Sequence, residues 1–313
     1  MDNAKIVSVF DGMACGMLAM MEAGVKVGRY VAYEIDKYAV QTSSHNFPEI
    51  EHRGDVFQSD FTEFEGFDWL VGGSPCTYWS IAQKNNRETE ASGLGWELFS
   101  QYVRALREVK PRFFIYENNK SMAKAIRQSI TEAFGFEPIC INSALVSAQT
   151  RQRLYWVGKR NEDGSYSKVD VQQPEDRKVY MEQILKADDF AVYKGGRFVR
   201  RKEDLEKYTD KSYQLGATGA SGGQGVRVYD LKGKSVTIKS QAGRGGAKTG
   251  LYLFGGEVKS LSRSGVAKMQ TIPEWYHFPC SDQVAISLMG NGWTVSVISH
   301  LIRACLEGIG DEG

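Results

Sequence analysis

No Cys-x-x-Cys pair occurs anywhere in the 313 residues. The five cysteines, Cys15, Cys76, Cys140, Cys280 and Cys305, are odd in number and far apart. That excludes a disulfide framework and gives no zinc-site spacing. Histidine is also scarce, with four scattered copies, so no metal is expected. No run of about 18 apolar residues exists, so no membrane span is expected. The N-terminus lacks the basic, apolar and small-residue layout of a signal peptide, which makes a reducing intracellular setting the default. A global charge of one sign is missing too. The net charge of +1 sets up no basic field over the whole chain.

What is present is ordinary in amount and unusual in arrangement. Hydrophobic residues make up 42% and charged residues 25%, the balance of a globular protein with a sizeable core. The length suits one large domain or two unequal ones. Residues 194–250 carry thirteen basic side chains against five acidic ones, a net +8, which leaves about −7 on the remainder. This is either a solvated basic face or a lobe that binds a polyanion. Residues 216–256 hold twelve glycines with Val, Thr, Tyr and Lys between them. That is the composition of hairpins and loops, and strand-like pieces at 227–229 and 235–238 argue against a disordered linker.

The first half alternates strand and helix patterns. Strands are expected at residues 5–10, 30–33, 69–71, 113–116 and 154–157. Helices are expected at 17–23, 37–46 and 95–109, and helical patterning returns at 287–306. Alternation of this kind predicts an α/β domain with a mostly parallel sheet and crossover helices. Ligands of such sheets bind beyond the carboxyl ends of the strands. The loops after Phe10, Val71 and Tyr116 are therefore expected to meet in one crevice. The expected division is a catalytic, cofactor-binding domain at 1–184, completed by 283–313, and a small, irregular, β-rich domain at 185–282.

Several groups at these strand ends can carry chemistry. Phe10-Asp11-Gly12-Met13-Ala14-Cys15-Gly16 follows a strand and opens a helix, where backbone amides can approach a ligand. Glu34 ends the next strand, as either a ribose ligand or a solvated carboxylate. Gly72-Gly73-Ser74-Pro75-Cys76 places a thiol just past a buried strand. Cys76 there is either a nucleophile or a small buried hydrophobe. The polar loop at 77–94 that follows is long enough to close over a substrate. Glu117 ends a further apolar strand and can reach the same crevice. Gln149-Thr-Arg151-Gln-Arg153 sets two arginines on one face of an incipient strand, as forks for carbonyl or phosphate oxygens or as a surface pair.

The ordered set resembles the DNA cytosine-5 methyltransferase family, over nearly the whole chain outside the basic insert. Phe10-Asp11-Gly12 with Gly16 is similar to the family's cofactor loop. Glu34, followed by Ile35, is similar to its ribose-binding position, and Gly54-Asp55-Val56 to its adenine-side turn. Pro75-Cys76 resembles the catalytic Pro-Cys, and Glu117-Asn118 the Glu-Asn pair. Gln149, Arg151 and Arg153 match Gln-x-Arg-x-Arg. Gly290-Asn291-Gly292-Trp293-Thr294-Val295 resembles the motif that returns to the cofactor pocket. The chain departs from the pattern at Asn119, where Val is usual, and at Ser264-Gly265, where Arg-Glu is usual.

The resemblance implies a Rossmann-like S-adenosylmethionine-dependent domain with a β-rich target-recognition domain. It implies Cys76 as the nucleophile on C6 of a flipped-out cytosine, Glu117 on N3 and the exocyclic amine, Arg153 on O2 and Arg151 as a brace. Phe10, Asp11, Gly12, Gly16, Glu34, Ile35, Asp55, Val56, Pro75, Asn291, Trp293, Thr294 and Val295 would hold S-adenosyl-L-methionine. Gln149, Arg197, Arg200, Arg201, Arg227 and Arg244 would contact double-stranded DNA. A monomer in the cytoplasm of a bacterial or phage-infected cell is expected, acting in restriction-modification, phage protection or alone. The competing readings are an RNA cytosine-5 methyltransferase, a non-catalytic DNA-binding regulator, a transferase with a modified sulfonium donor and a nicotinamide oxidoreductase. The last does not account for Pro75-Cys76 or the arginine pair.

Overall fold

The computed structural model describes residues 1–80, 87–219, 223–240 and 249–310, with the backbone alone for 224 and 308–310. The chain divides into two compact units. The first comprises Met1–Ile141, Gln152–Gln173 and Ile298–Gly313, and the second comprises Asn142–Arg151 and Pro174–Val297.

The first unit is built on strands β1 (Ala4–Val9), β2 (Val27–Tyr33), β3 (Glu51–His52), β4 (Trp69–Gly72), β5 (Phe113–Asn119), β6 (Ile139–Asn142), β7 (Gln152–Arg160) and β8 (Tyr166–Lys168). Its sheet runs β3-β2-β1-β4-β5-β7-β6, with β8 paired to β7. The first five strands are parallel, and β7 runs antiparallel to β5. The crossovers include helices α1 (Cys15–Glu22), α2 (Lys37–Asn46), α3 (Gly93–Val109) and α4 (Lys124–Phe134). Parallel neighbours require such crossovers, and their strands, covered on both faces, read as continuous apolar runs. Val7, Val9, Leu70, Phe114 and Tyr116 are accordingly fully buried. This is the expected Rossmann-like α/β fold of S-adenosylmethionine-dependent methyltransferases. Strand order reverses between β1 and β4, the topological switch point at which an open α/β sheet binds its ligand.

Local chemistry sets the element ends. Asp36 caps α2 by accepting from the amides of Tyr38 and Ala39. Helix α4 had a readable signal that the strand-helix pattern above leaves out. Ile126, Ile130 and Phe134 repeat at helical spacing, and Gly135 closes the helix with φ of 83°. Strand β5 runs two residues beyond Glu117, because its ladder with β7 continues to Asn119 opposite Arg153.

The second unit carries a six-stranded sheet in the order β10-β11-β12-β13-β14-β9. Its strands are β9 (Phe190–Val192), β10 (Val199–Arg200), β11 (Gln214–Ala217), β12 (Arg227–Tyr229), β13 (Leu251–Phe254) and β14 (Glu257–Leu261). Helices α5 (Met181–Ile184), α6 (Arg263–Met269) and α7 (Asp282–Asn291) complete it, and the unit boundary falls inside α8 (Val295–Gly310). The expected strand at 235–238 does not form. Ser235 makes a single bridge to Gln149, and the Ile238 amide is taken by the Gln149 side chain, so no ladder is needed. The helical pattern at 287–306 is split by Gly292, Trp293 and Thr294 into α7 and α8. Asp282–Glu307 is apolar enough to pass for a membrane span by composition, but 67% of its most apolar stretch is buried inside the protein.

Candidate active site

Register brings the chemical groups of the first unit to one edge of its sheet. Val9 pairs with both Tyr33 and Gly72, and Gly72 pairs with Tyr116. The residues just beyond them are Phe10, Glu34, Gly73 and Glu117. Neighbouring strands lie about 4.8 Å apart, so these four positions stand side by side at the carboxyl edge of the sheet, with Glu117 two residues before the end of β5.

At the β1 end, Phe10 and Ala14 adopt left-handed backbone conformations, with φ of 60° and 62°. Glu34 fastens this loop to β2. Its Oε2 accepts from the Gly12 amide at 2.8 Å, and its Oε1 accepts from the amides of Ile35 and Asp36. Asp11 is buried, and its Oδ1 accepts from Ser8 Oγ at 2.6 Å and Tyr30 Oη at 2.7 Å. Its Oδ2 is buried and has no hydrogen-bond partner among the described residues. Burial pushes the Asp11 carboxyl up to about 6. The hydrogen bonds from Ser8 and Tyr30 pull it back part of the way, and the neighbouring Glu34 charge adds to the rise. Ser8 and Tyr30 escaped the reading of the sequence because, inside apolar strands, they look like core.

Ile35 beside this loop is 77% exposed. Asp55 caps the turn after β3 through the Phe57 amide, and Val56 is buried beneath it. Gly16 is buried in α1. A buried acceptor without a donor, a backbone-anchored carboxylate and an exposed aliphatic rim fit a ligand with an ammonium group, a ribose and a flat base. The residues present therefore fit S-adenosylmethionine.

At the β4 end, Pro75 is exposed and Cys76, half-buried, opens a 3-10 turn through Tyr78. Gly73 meets β5 so closely that a Cβ there would stand 2.7 Å from the Glu117 carbonyl oxygen. A buried network locks this approach. Ser74 Oγ and Tyr116 Oη are 2.7 Å apart, and Asn118 Nδ2 donates to the Ser74 carbonyl at 3.1 Å and to Tyr116 Oη at 3.2 Å. Asn119, the departure from the family's usual Val, accepts from Ser121 Oγ at 2.6 Å and donates to Asn118 Oδ1. It closes the turn after β5 with polar bonds. Glu117 and Arg153 form an ion pair of 3.1 Å, with side chains only 12% and 14% exposed. Arg153 also donates to the Gln152 carbonyl.

The remaining motif residues belong to the second unit. Arg151 precedes β7 and is buried. Its Nη1 donates to the Ile238 carbonyl at 3.2 Å, and its Nη2 donates to those of Gly290 at 3.1 Å and Gly292 at 2.8 Å. Arg151, expected as a brace beside Arg153, holds backbone carbonyls of the second unit. The bonds to Gly290 and Gly292 brace the loop that bears Asn291 and Trp293. Thr294 is buried between Ser143 Oγ and Gln270 Oε1, both at 2.9 Å, and the Val295 amide donates to the Gln270 carbonyl. Asn291 is exposed and Trp293 half-buried.

Gln149 leaves the DNA-contact set. It is fully buried, donates to the Met269 carbonyl and Gln270 Oε1, and accepts from the Ile238 amide. Arg197, Arg200, Arg201 and Arg227 are exposed, and Arg200 is paired with Asp204 at 2.9 Å. Arg244 lies outside the described residues.

The chain matches the family model for C-5 cytosine-specific DNA methylase over residues 4–307. It is 26% identical over 310 residues to the type II methyltransferase M.HhaI of Haemophilus parahaemolyticus, covering 95% of this chain and 92% of the other. It is 30% identical over 292 residues to the orphan methyltransferase M.SPRI of Bacillus phage SPR, covering 78% and 66%. Among solved structures, the S. pombe Dnmt2 methyltransferase superposes with a TM-score of 0.67 at 14% identity, covering 98% of this chain and 99% of that one. With the Pro-Cys, Glu-Asn and Gln-x-Arg-x-Arg motifs in order along a Rossmann-like sheet, the match over residues 4–307 places the chain in the C-5 cytosine-specific DNA methylase family.

Proposed function

We propose that the protein methylates C5 of a flipped-out cytosine in a specific sequence of double-stranded DNA through a covalent Cys76 adduct. The observation that carries this reading is the register that sets the turn of Cys76 beside Glu117, with Arg153 paired to Glu117 across the β5–β7 ladder. Cytosine C5 is a poor nucleophile. Addition of the Cys76 thiolate to C6 forms a carbon–sulfur bond and converts the ring to an enamine, electron-rich at C5. Glu117 holds N3 and the exocyclic amine, and Arg153 holds O2, so both favour the adduct. S-adenosylmethionine, when bound, supplies the electrophilic methyl group. Loss of the C5 proton then expels the Cys76 thiolate by β-elimination. Phe10, Asp11, Gly12, Gly16, Glu34, Ile35, Asp55, Val56 and Pro75 would hold the cofactor, with Asp11 as the negative partner of its ammonium group. By motif resemblance, Asn291, Trp293, Thr294 and Val295 are further cofactor-binding residues in this proposal.

The reaction needs C6 and C5 exposed on both faces, which a stacked duplex does not allow, so the base must leave the helix. Residues 185–282 act as the target-recognition domain, with Arg197, Arg200, Arg201 and Arg227 on phosphates or base edges. The loop at 77–94 follows Cys76 directly and serves as the clamp over the substrate. The protein works as a monomer in the cytoplasm of a bacterial or phage-infected cell.

The test is mass spectrometry of nucleosides from DNA incubated with the protein and S-adenosylmethionine, beside a Cys76→Ala control. 5-Methyldeoxycytidine formed by the unmutated protein alone is the expected result. A folded, cofactor-binding protein that methylates RNA instead, or nothing at all, overturns the DNA assignment. A heavier cytosine adduct overturns the donor.

A further inference from the structure

The turn that carries Cys76 is fastened to the start of helix α3 by one carboxylate that belongs to none of the recognised motifs. Glu88 Oε2 accepts from Trp79 Nε1 at 2.9 Å, and its Oε1 accepts from the Gly95 amide at 3.1 Å, in the first turn of α3. The Glu88 amide donates to the Tyr78 carbonyl at 2.9 Å. Trp79 is fully buried, and its own amide donates to the Cys76 carbonyl at 3.1 Å, as does that of Ser80 at 3.0 Å. Arg87 continues the bracket, donating through Nε to the Trp79 carbonyl and through Nη2 to the Ser121 carbonyl just past β5. The backbone of Cys76, the indole of Trp79, the Glu88 carboxylate and the Gly95 amide of α3 are thus linked in series.

Two physical reasons make this a deliberate anchor. The first-turn amides of a helix lack intrahelical acceptors, and a carboxylate there is favoured by both hydrogen bonding and the helix dipole. Gly95 also leaves room for it. A Cβ at Gly95 would fall 2.5 Å from Glu88 Oε2 and 2.6 Å from Trp79 Nε1.

We propose that Glu88 is a positioning residue for Cys76, coupling the nucleophile's turn to the rigid start of α3 through Trp79. The proposal rests on the reading of Cys76 as nucleophile. Tyr78, Trp79, Ser80, Arg87 and Glu88 of the 77–94 loop take part in this bracket, and residues 81–86 lie outside the described residues.

The test compares the full-length protein with Glu88→Ala, Glu88→Gln and Gly95→Ala. Four quantities are measured: the melting midpoint, the Kd for S-adenosylhomocysteine, kcat and KM on duplex DNA, and the rate of covalent trapping on DNA containing 5-fluorocytosine. Loss of the carboxylate is expected to lower kcat and the trapping rate by roughly 10- to 100-fold, the effect of a nucleophile displaced by about 1 Å. KM and cofactor Kd should stay within about threefold. Glu88→Gln, which keeps one acceptor oxygen for two donors, is expected to fall between Ala and the unmutated protein, and Gly95→Ala to mimic Glu88→Ala. The idea fails if Glu88→Ala traps DNA at the normal rate. It also fails if cofactor binding and melting midpoint collapse together in both Glu88 variants, since the carboxylate then serves the fold in general. Failure of the methyltransferase reading is separate: the unmutated protein would form no adduct at all.

Discussion

Glu117 and Arg153 meet across the β5–β7 ladder without facing one another. Glu117 opposes Tyr155 and Arg153 opposes Asn119, yet Arg153 Nε lies 3.1 Å from Glu117 Oε1. Diagonal neighbours on an antiparallel pair stand about 7–8 Å apart at the backbone, a span that two long side chains close. With both side chains largely covered, the pair is less screened than a surface ion pair. Arg153→Ala is expected to lower kcat/KM by on the order of a hundredfold, equivalent to about 3 kcal/mol for a buried carboxylate left without its partner. Arg153→Lys keeps the charge but loses the fork, and should recover part of the loss. Steady-state kinetics on duplex DNA check this, and equal activity of the Ala and Lys variants would count against a role for fork geometry.

Asp11 ties stability to pH with an unusual sign. Its carboxyl titrates near 6 in the fold against 3.8 for the free group, chiefly because burial penalises the charge. An acid raised in this way favours the folded state below about 3.8, and that stability is lost as the pH rises through about 6. The two-unit shift corresponds to about 3 kcal/mol. Asp11→Asn should remove this dependence and melt higher than the unmutated protein at pH 8, while binding S-adenosylhomocysteine more weakly by tenfold or more. Melting curves at pH 5 and pH 8, with calorimetric titrations at pH 8, test both halves. A variant that keeps the pH slope removes Asp11 as its source.

Arg151 should matter to folding before chemistry. Arg151→Ala leaves the carbonyls of Ile238, Gly290 and Gly292 without their buried donor. The expected loss is roughly 3 kcal/mol, since each stranded polar group costs about 1–3 kcal/mol. Urea unfolding measures it as a lower midpoint. An unchanged midpoint with lost activity would return Arg151 to the catalytic set.

The exposed arginines of residues 197–201 should contribute through counterion release. Each lost phosphate contact reduces the slope of log affinity against log salt by about 0.9. Arg197→Ala and Arg201→Ala are expected to show that change, and Arg200→Ala a smaller one, because Arg200 is already paired with Asp204. Filter binding on one duplex across a salt series distinguishes them, and identical slopes in all three variants would remove this face from the DNA contacts.

The amino-acid sequence by itself determined the alternation of strands and helices in the first half. It also placed Phe10, Glu34 and Cys76 just past strand ends, ended β5 at Glu117, two residues early, and identified the family through motifs in order. These are local signals: apolar periodicity, turn residues and short spacings survive in a linear string. The 37–46 helix coincides with its pattern because Asp36 caps it from one residue away. Burial of polar side chains was decided only in three dimensions. Gln149 read as a DNA contact and Arg151 as a brace at the catalytic site. They are buried because their partners, Ile238 and Gly292, arrive from 89 and 141 residues away. The antiparallel course of β7, which pairs Arg153 with Glu117, is likewise a long-range choice. A hydrogen bond between distant residues leaves no period in the sequence, and only the fold that closes the intervening loops can supply it.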